Sequence, residues 1–275
     1  MFQAPKQKNS IFEAGSRTVW LIYHSTVRSI RNSHGNAIIG LVMSMMQSVI
    51  MIAVFYLMFS ILGARSSGIN GGSFLLYLMS GILLFTAHNG AISSVMGAPS
   101  PTSPQMLHAP LNTAIVITSS ALSALYRQIL ALGTLLFVYH VQVEPLHILY
   151  PAGAAMMVLL AWLTGCVIGL IFYALRPWFP GFVKIASMLY MRANMITSGK
   201  MFLANTMPTF MVSMFAWNPL FHCIDQLRGF VFLNYTPRHT SAEYPFYFSL
   251  ALVMLGLMGE FYTRKYASTS WNAKR

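Results

Sequence analysis

Residues 207 to 239 read MPTFMVSMFAWNPLFHCIDQLRGFVFLNYTPRH. The segment they fill, 206 to 240, is long for a loop and too apolar to be one in water. Yet each of its two apolar runs is too short to cross a bilayer, whose hydrocarbon core takes about 20 helical residues. The runs are split at Asn218 and Pro219; Pro219 suits the first turn of a helix, and Asn218 sits where a cap would be. Two short helices that dip into a membrane and return satisfy their own backbone groups without crossing. This re-entrant hairpin makes sense only if the rest of the chain is a membrane protein.

Composition says that it is. Of 275 residues, 56% are hydrophobic and only 8% charged, where a soluble domain carries about 25% charged residues. So few charges cannot coat a water-soluble core of this size, and lipid must cover it instead. Apolar segments at 37–63, 73–97, 115–143, 148–175, 182–205 and 245–263 each have the length to cross. They predict an all-α integral membrane fold of six transmembrane helices in one domain: an arm over 1–34, a six-span region over 35–265 and a tail over 266–275. The hairpin precedes the last span. Arg127, inside the third span, must snorkel to the near interface or face protein rather than lipid. Residues 10 to 34 mix Ile11, Phe12, Val19, Trp20, Ile22, Tyr23, Val27 and Ile30 with Arg17, His24, Arg28 and Arg31. That mixture predicts an N-terminal amphipathic helix lying in the headgroup layer, with an ordinary juxtamembrane segment as the alternative.

Charge sets orientation. Lys6, Lys8, Arg17, Arg28 and Arg31 precede the first span, and Arg264, Lys265, Lys274 and Arg275 follow the last. The positive-inside rule therefore places both termini in the cytoplasm, which an even number of spans permits. The formal net charge of +12 reads as membrane flanking rather than as a nucleic-acid footprint. The N-terminal MFQAPKQKNSIFEAG lacks the apolar core of a signal peptide, leaving the first spans to act in targeting.

Several chemistries lack their residues. No GxxxxGK[ST], HExxH or GxSxG with suitable partners occurs, and Cys166 and Cys223 form no CxxC. The eight histidines never recur at the short spacing of shared ligation, and His88, central in a span, reads as a hydrogen-bonded residue of a helix interface. Five acids leave little material for a carboxylate pair. The expectation is no enzyme, no metal site and no cofactor in this chain.

The polar chemistry that is present concentrates in the fifth span, KIASMLYMRANMITSGKMFLAN, 184 to 205. Arg192, Asn194, Thr197, Ser198 and Lys200 are read along one helix. Charges at membrane depth usually face a bundle interior or a wet cavity, and two bases with no acid nearby suggest an anionic substrate. Snorkelling is the alternative, better suited to Lys200 near the outer end than to Arg192. Sugar rings stack on aromatic faces, so Tyr77, Phe85, Tyr173 and Tyr190 can line a glycan track, although interfacial belts account for most aromatics in such a protein. In GAPSPTSPQMLHAPLNTA, 97 to 114, Pro99, Pro101, Pro104 and Pro110 forbid a continuous helix. This stiff inner loop is either a plain connection or a docking element.

Taken together, RTVWLIYHSTVRSIRNSHGNAIIG (17–40), the proline-rich loop, SGKMFLANTMP (198–208) and WNPLFHCIDQLRG (217–229) resemble the permease subunits of polysaccharide-exporting ABC transporters, over essentially the whole chain. The resemblance implies a homodimer in the bacterial inner membrane and a separate cytoplasmic ABC ATPase subunit that binds ATP and Mg. It implies a lipid-linked polysaccharide as cargo, with periplasmic and outer-membrane export proteins as further partners. It implies ATPase docking through the inner loop and N-terminal elements, which in the inner loop are Pro101, Pro104, Gln105, His108 and Pro110; the charges and aromatics read above point to Arg192, Lys200, Asn194, Ser198, Tyr190, Tyr77 and Phe85 for the substrate pathway. Asn218, Pro219, His222, Asp225 and Arg228 fall in the outer hairpin, and Ser198 and Gly199 in the fifth-span signature. A basic path favours an acidic capsular polysaccharide; O-antigen, teichoic acid or a small amphiphile are alternatives, and an intramembrane transferase a remote one. The chain departs from the family pattern in lacking a Pro early in span one and in having Asp225 for the usual Glu. Asp225 and Arg228, i and i+3 on a short helix, are predicted to pair, chiefly as a structural feature.

Overall fold

The computed structural model describes residues 11–32, 37–63, 69, 71–101, 103 and 112–266, and among these there are helices and turns but no strand. The helices are α1 (Ile11–Asn32), α2 (Ala37–Ile61), α3 (Phe74–Met96), α4 (Thr113–Gln142), α5 (Pro151–Leu175), α6 (Pro180–Thr197), α7 (Thr209–Phe215), α8 (Pro219–Val231) and α9 (Glu243–Tyr266). Four of them, α3, α4, α5 and α9, are long and apolar enough to cross a membrane. They coincide with the predicted second, third, fourth and sixth spans. The described part of α2 that qualifies as apolar, Met45–Ile61, is shorter, and α6 has 18 residues and carries Lys184 and Arg192.

Prolines open α5 and α6, where a missing N–H costs nothing. The fifth apolar segment does not continue as a helix to residue 205. It stops at Thr197 because the chain turns at Gly199, whose φ of 67° is open to glycine at little cost. Lys200 therefore lies in a turn and not on the helix that carries Arg192.

The bundle is organised about α5, which packs most extensively on α3 and α9 and next on α8. Glycine makes the closest of these contacts possible, as small residues do between membrane helices. A Cβ on Gly165 would stand 2.3 Å from the His88 carbonyl oxygen, and one on Gly169 2.9 Å from that of Ile92. On α9, Gly256 meets Leu170 in the same way at 2.7 Å. The core formed between α3, α5 and α8 buries Leu78, Ile82, Leu84, Met157, Leu220 and Ile224. His88 is buried in this contact, with Nδ1 3.1 Å from the Ala161 carbonyl and 2.9 Å from Thr164 Oγ1, and Nε2 3.3 Å from the Tyr190 hydroxyl. The carbonyl requires a donor, so Nδ1 carries the proton and Nε2 accepts from Tyr190. The interface role read from the sequence is the one His88 has.

Polar contacts gather three segments at one end of the bundle. Arg176 donates to the carbonyls of Met96 (2.7 Å) and Ala98 (2.8 Å), and Tyr173 to that of Pro99 (2.9 Å). Trp178 donates to Thr263 at 2.8 Å, and Arg264 to Asn112 at 3.3 Å. Arg176, Lys184, Arg264 and Lys265 all belong to this end. Arg127 faces protein, donating to Ser94 Oγ at 3.4 Å, which decides between the two readings of a charge in that span. The helix α1 packs along α4 with Ser29 and Ser123 hydroxyls 3.2 Å apart, and leaves Val19, Trp20 and Tyr23 exposed beside Arg17, His24 and Arg28.

Gly165→Val should destabilise the detergent-solubilised protein by roughly 2 kcal/mol or more, since overpacking against a backbone carbonyl has no flexible side chain to displace. Gly133→Ala on α4, where an added Cβ meets open space, should leave the thermal melt unchanged or raise it. A Gly165→Val protein melting with the wild type would contradict the α3–α5 contact.

Candidate functional site

A helix that ends among apolar neighbours leaves its last carbonyls without donors, and inside a bundle water cannot supply them. The turn after α6 is such an end, and α8 meets its needs. Asn218 caps α8: its side-chain oxygen accepts from the Leu220 N–H at 3.0 Å, and its Nδ2 donates to Asn194 Oδ1 and Thr197 Oγ1, both at 2.8 Å. One residue thus starts α8 and ties it to the last turn of α6. Nearly three turns later Arg228, 1% exposed, donates to the carbonyls of Gly199 (3.0 Å), Lys200 (2.7 Å) and Phe202 (2.7 Å). Its guanidinium stacks on the Tyr77 ring, 4.3 Å from the centroid. A planar fork with several donors suits three divergent carbonyls; a lysine would not. Gly81 of α3 admits this turn, since a Cβ there would come within 2.5 Å of the Lys200 carbonyl.

Asp225 and Arg228 do not pair. Among the described residues the one ion pair is Arg264 with Glu260, at 3.8 Å. The Asp225 carboxylate instead accepts from the hydroxyls of Tyr235 and Thr240, the latter at 2.7 Å. The expected i, i+3 pair loses because each residue finds better partners on a different loop: Asp225 on the segment after α8, Arg228 on the turn after α6. His222 and Gln226 extend the same pattern. Ser241 N–H donates to His222 Nδ1 at 3.1 Å, so Nε2 carries the proton given to the Ala216 carbonyl at 2.8 Å. Gln226 donates to the Thr240 carbonyl at 2.8 Å. Every polar side chain of α8 between Asn218 and Arg228 therefore holds a neighbouring segment in place.

Lys200 is 1% exposed, its ammonium 3.6 Å from the Phe85 ring centroid, 5.1 Å from that of Phe55 and 3.9 Å from Met51 Sδ. Ring faces offset part of the cost of burying the charge. The residues expected to line the pathway are thus divided. Tyr77, Phe85, Asn194, Ser198 and Lys200 are buried within the protomer, Tyr190 is half-buried against His88, and Arg192 alone is exposed. Tyr173 lies at the basic end, bonded to Pro99. Of the expected docking residues, Pro101 is in a turn, while Pro104, Gln105, His108 and Pro110 fall outside the described residues.

The profile of the ABC-2 type transporter membrane domain matches residues 21–232. The chain belongs to the ABC-2 transporter family. No curated protein matches it. As an ABC-2 permease it is the transmembrane component of an ABC transporter, and the family implies a separate ATPase subunit as partner. The matched region runs from within α1 to the end of α8 and so includes the contacts of Asn218 and Arg228, while Tyr235, Thr240 and Ser241 lie just beyond it. Sequence reasoning missed Tyr235, Thr240, Gln226 and Gly81, and the Phe55 and Met51 contacts of Lys200. None of these stands at a helical spacing from the residue it serves.

Exchanging the two charges tests the clamp against an ion pair. The double variant Asp225→Arg with Arg228→Asp should fold no better than Arg228→Ala, which takes the donor from the Lys200 and Phe202 carbonyls and leaves that of Gly199 only the Phe202 N–H, at a cost of roughly 2 kcal/mol or more. Recovery of folded yield and melting temperature by the exchange would restore the pair.

Proposed function

We propose that this permease is the membrane half of an ATP-driven exporter of a lipid-linked, acidic polysaccharide, acting as a homodimer in the bacterial inner membrane with both termini in the cytoplasm. The observation that carries the reading is Arg192: a guanidinium exposed on a helix whose neighbouring Met188, Leu189, Met195 and Ile196 are all exposed and apolar, with no acid in ion-pair contact. Acyl chains are poor neighbours for such a group, and a hydrated anion passing along α6 is a good one.

Other features support the same reading. α2 exposes Val42, Met43, Met46, Ile50, Val54 and Leu57, and α6 exposes Phe182, Ile185, Leu189 and Ile196. Apolar faces on two helices that flank the bundle suit a second copy across a shared passage. The basic end with Arg176, Lys184, Arg264 and Lys265 suits the cytoplasmic side, where the ATPase subunit with its ATP and Mg would dock near the loop of Pro101. The α7–α8 pair then forms the re-entrant hairpin of the outer face, with α2 and α6 as the remaining two of six spans. ATPase closure, passed through the inner loop and α1, would open the passage between α2 and α6. A polymer that moves through needs many weak contacts rather than one tight site, which an arginine amid exposed side chains provides.

A small amphiphile is the second reading, favoured by the soft methionine flank of α6, Met188, Met191 and Met195.

Arg192→Ala should cut surface glycan by about tenfold, the loss of one charge contact, while the permease still co-purifies with its ATPase subunit. Surface glycan at the wild-type level would remove Arg192 from the pathway.

A further inference from the structure

The face of α3 that points away from the clamp changes character halfway along. Met79 and Ile82 on this face are buried, 4% and 1% exposed. Toward the basic end the same face continues as Thr86, Asn89, Gly90 and Ser93, the i, i+3, i+4, i+7 spacing of one helical strip. Thr86 and Asn89 are half-buried, Gly90 and Ser93 exposed, and a Cβ on Gly90 would meet no atom within 4 Å. Asn89 Oδ1 is buried without a donor. Open polar surface this deep in a membrane bundle cannot rest against acyl chains; it faces protein or water.

Two walls flank the strip. On one side α4 presents Gln128, which donates to the Leu83 carbonyl at 2.9 Å, and Arg127, which reaches Ser94. On the other, Met191 of α6 accepts from the Ser93 hydroxyl at 3.6 Å. Lys184, Met188 and Met195 stand on the same strip of α6 as Met191, and Arg192 follows it directly. The result is a groove that is open along its basic half and closes toward the other, where Met79 and Ile82 of α3 are buried, with a floor of small hydroxyl and amide groups and cations on its walls.

We infer that Thr86, Asn89, Gly90 and Ser93 of α3 form the floor of a water-filled entry groove that takes a hydroxyl-rich carbohydrate chain from the basic end of the permease. This rests on the export reading and adds to it a second helix. The floor has the chemistry of a sugar: the exposed Ser93 hydroxyl, held among the described residues only by Met191 Sδ, and the half-buried Asn89 amide exchange hydrogen bonds without charge, and Gly90 leaves room for a ring. The walls supply the attraction for an acidic polymer. The face of α3 that the sequence favoured, with Tyr77 and Phe85, is the one turned into the clamp.

The test is thiol accessibility in the intact permease–ATPase complex, in vesicles exposing the basic end. Cys166 and Cys223 are buried, so single cysteines introduced by Gly90→Cys and Ser93→Cys report alone. Both should react with an anionic methanethiosulfonate reagent much faster than Ile129→Cys on the outer face of α4. Gly90→Leu, which finds open space and leaves the protomer intact, should lower surface glycan by about tenfold. Cysteines no more reactive than Ile129→Cys, or normal export by an assembled Gly90→Leu complex, would overturn the inference. The two failures are separable. Unreactive cysteines with export lost in Arg192→Ala sink the groove alone. Reactive cysteines and a Gly90→Leu block with normal export in Arg192→Ala leave the groove standing and remove the acidic cargo.

Discussion

The backbone carbonyls of a turn that interrupts a helix within a bundle must find donors in the protein, and in this permease Arg228 provides them. Much follows from that requirement. The guanidinium must be buried, so Tyr77 gives it a ring face and Gly81 gives the turn a path past α3. The turn sends Lys200 inward against Phe85 and Phe55, and it ends α6 at Thr197. Asn218 fixes the same junction from the opposite end of α8. The polar residues that stand out in the most apolar part of the chain are thus the price of breaking a helix inside the bundle.

Much of this architecture was legible from composition and run length. The four long apolar helices fall where apolar segments of sufficient length predicted them, and the split of residues 206 to 240 into two short helices followed from Asn218 and Pro219. The site was less legible. Spacing alone suggested that Asp225 and Arg228 would pair, because i, i+3 neighbours meet on any helix; their actual partners lie 10 to 29 residues away on segments whose positions are set by tertiary packing. The helix periodicity of the fifth segment hid the turn at Gly199, so Lys200 and Arg192 read as companions when one faces the interior and the other the surface. Likewise Tyr77 and Phe85 stood out as aromatic, whereas the open face of α3 consists of residues with weak individual signals.

Function and scaffold are therefore separated within one chain. The conspicuous motif of α8 holds segments together, and the residues proposed to meet a cargo are inconspicuous: one exposed arginine and a strip of small polar groups on α3. Such a division suits a permease driven by another subunit. Under the export proposal, a rigid junction between α3, α6 and α8 would transmit motion from the basic end, while weak, repeated contacts along the proposed groove would let a long polymer slip forward without being held.

ATP hydrolysis by the permease reconstituted with its ATPase subunit, measured with a lipid-linked acidic glycan and with small lipophilic compounds, tests the central claim most directly. The account predicts acceleration by the glycan and little response to the lipophiles. Stimulation by lipophiles with none by the glycan would contradict it.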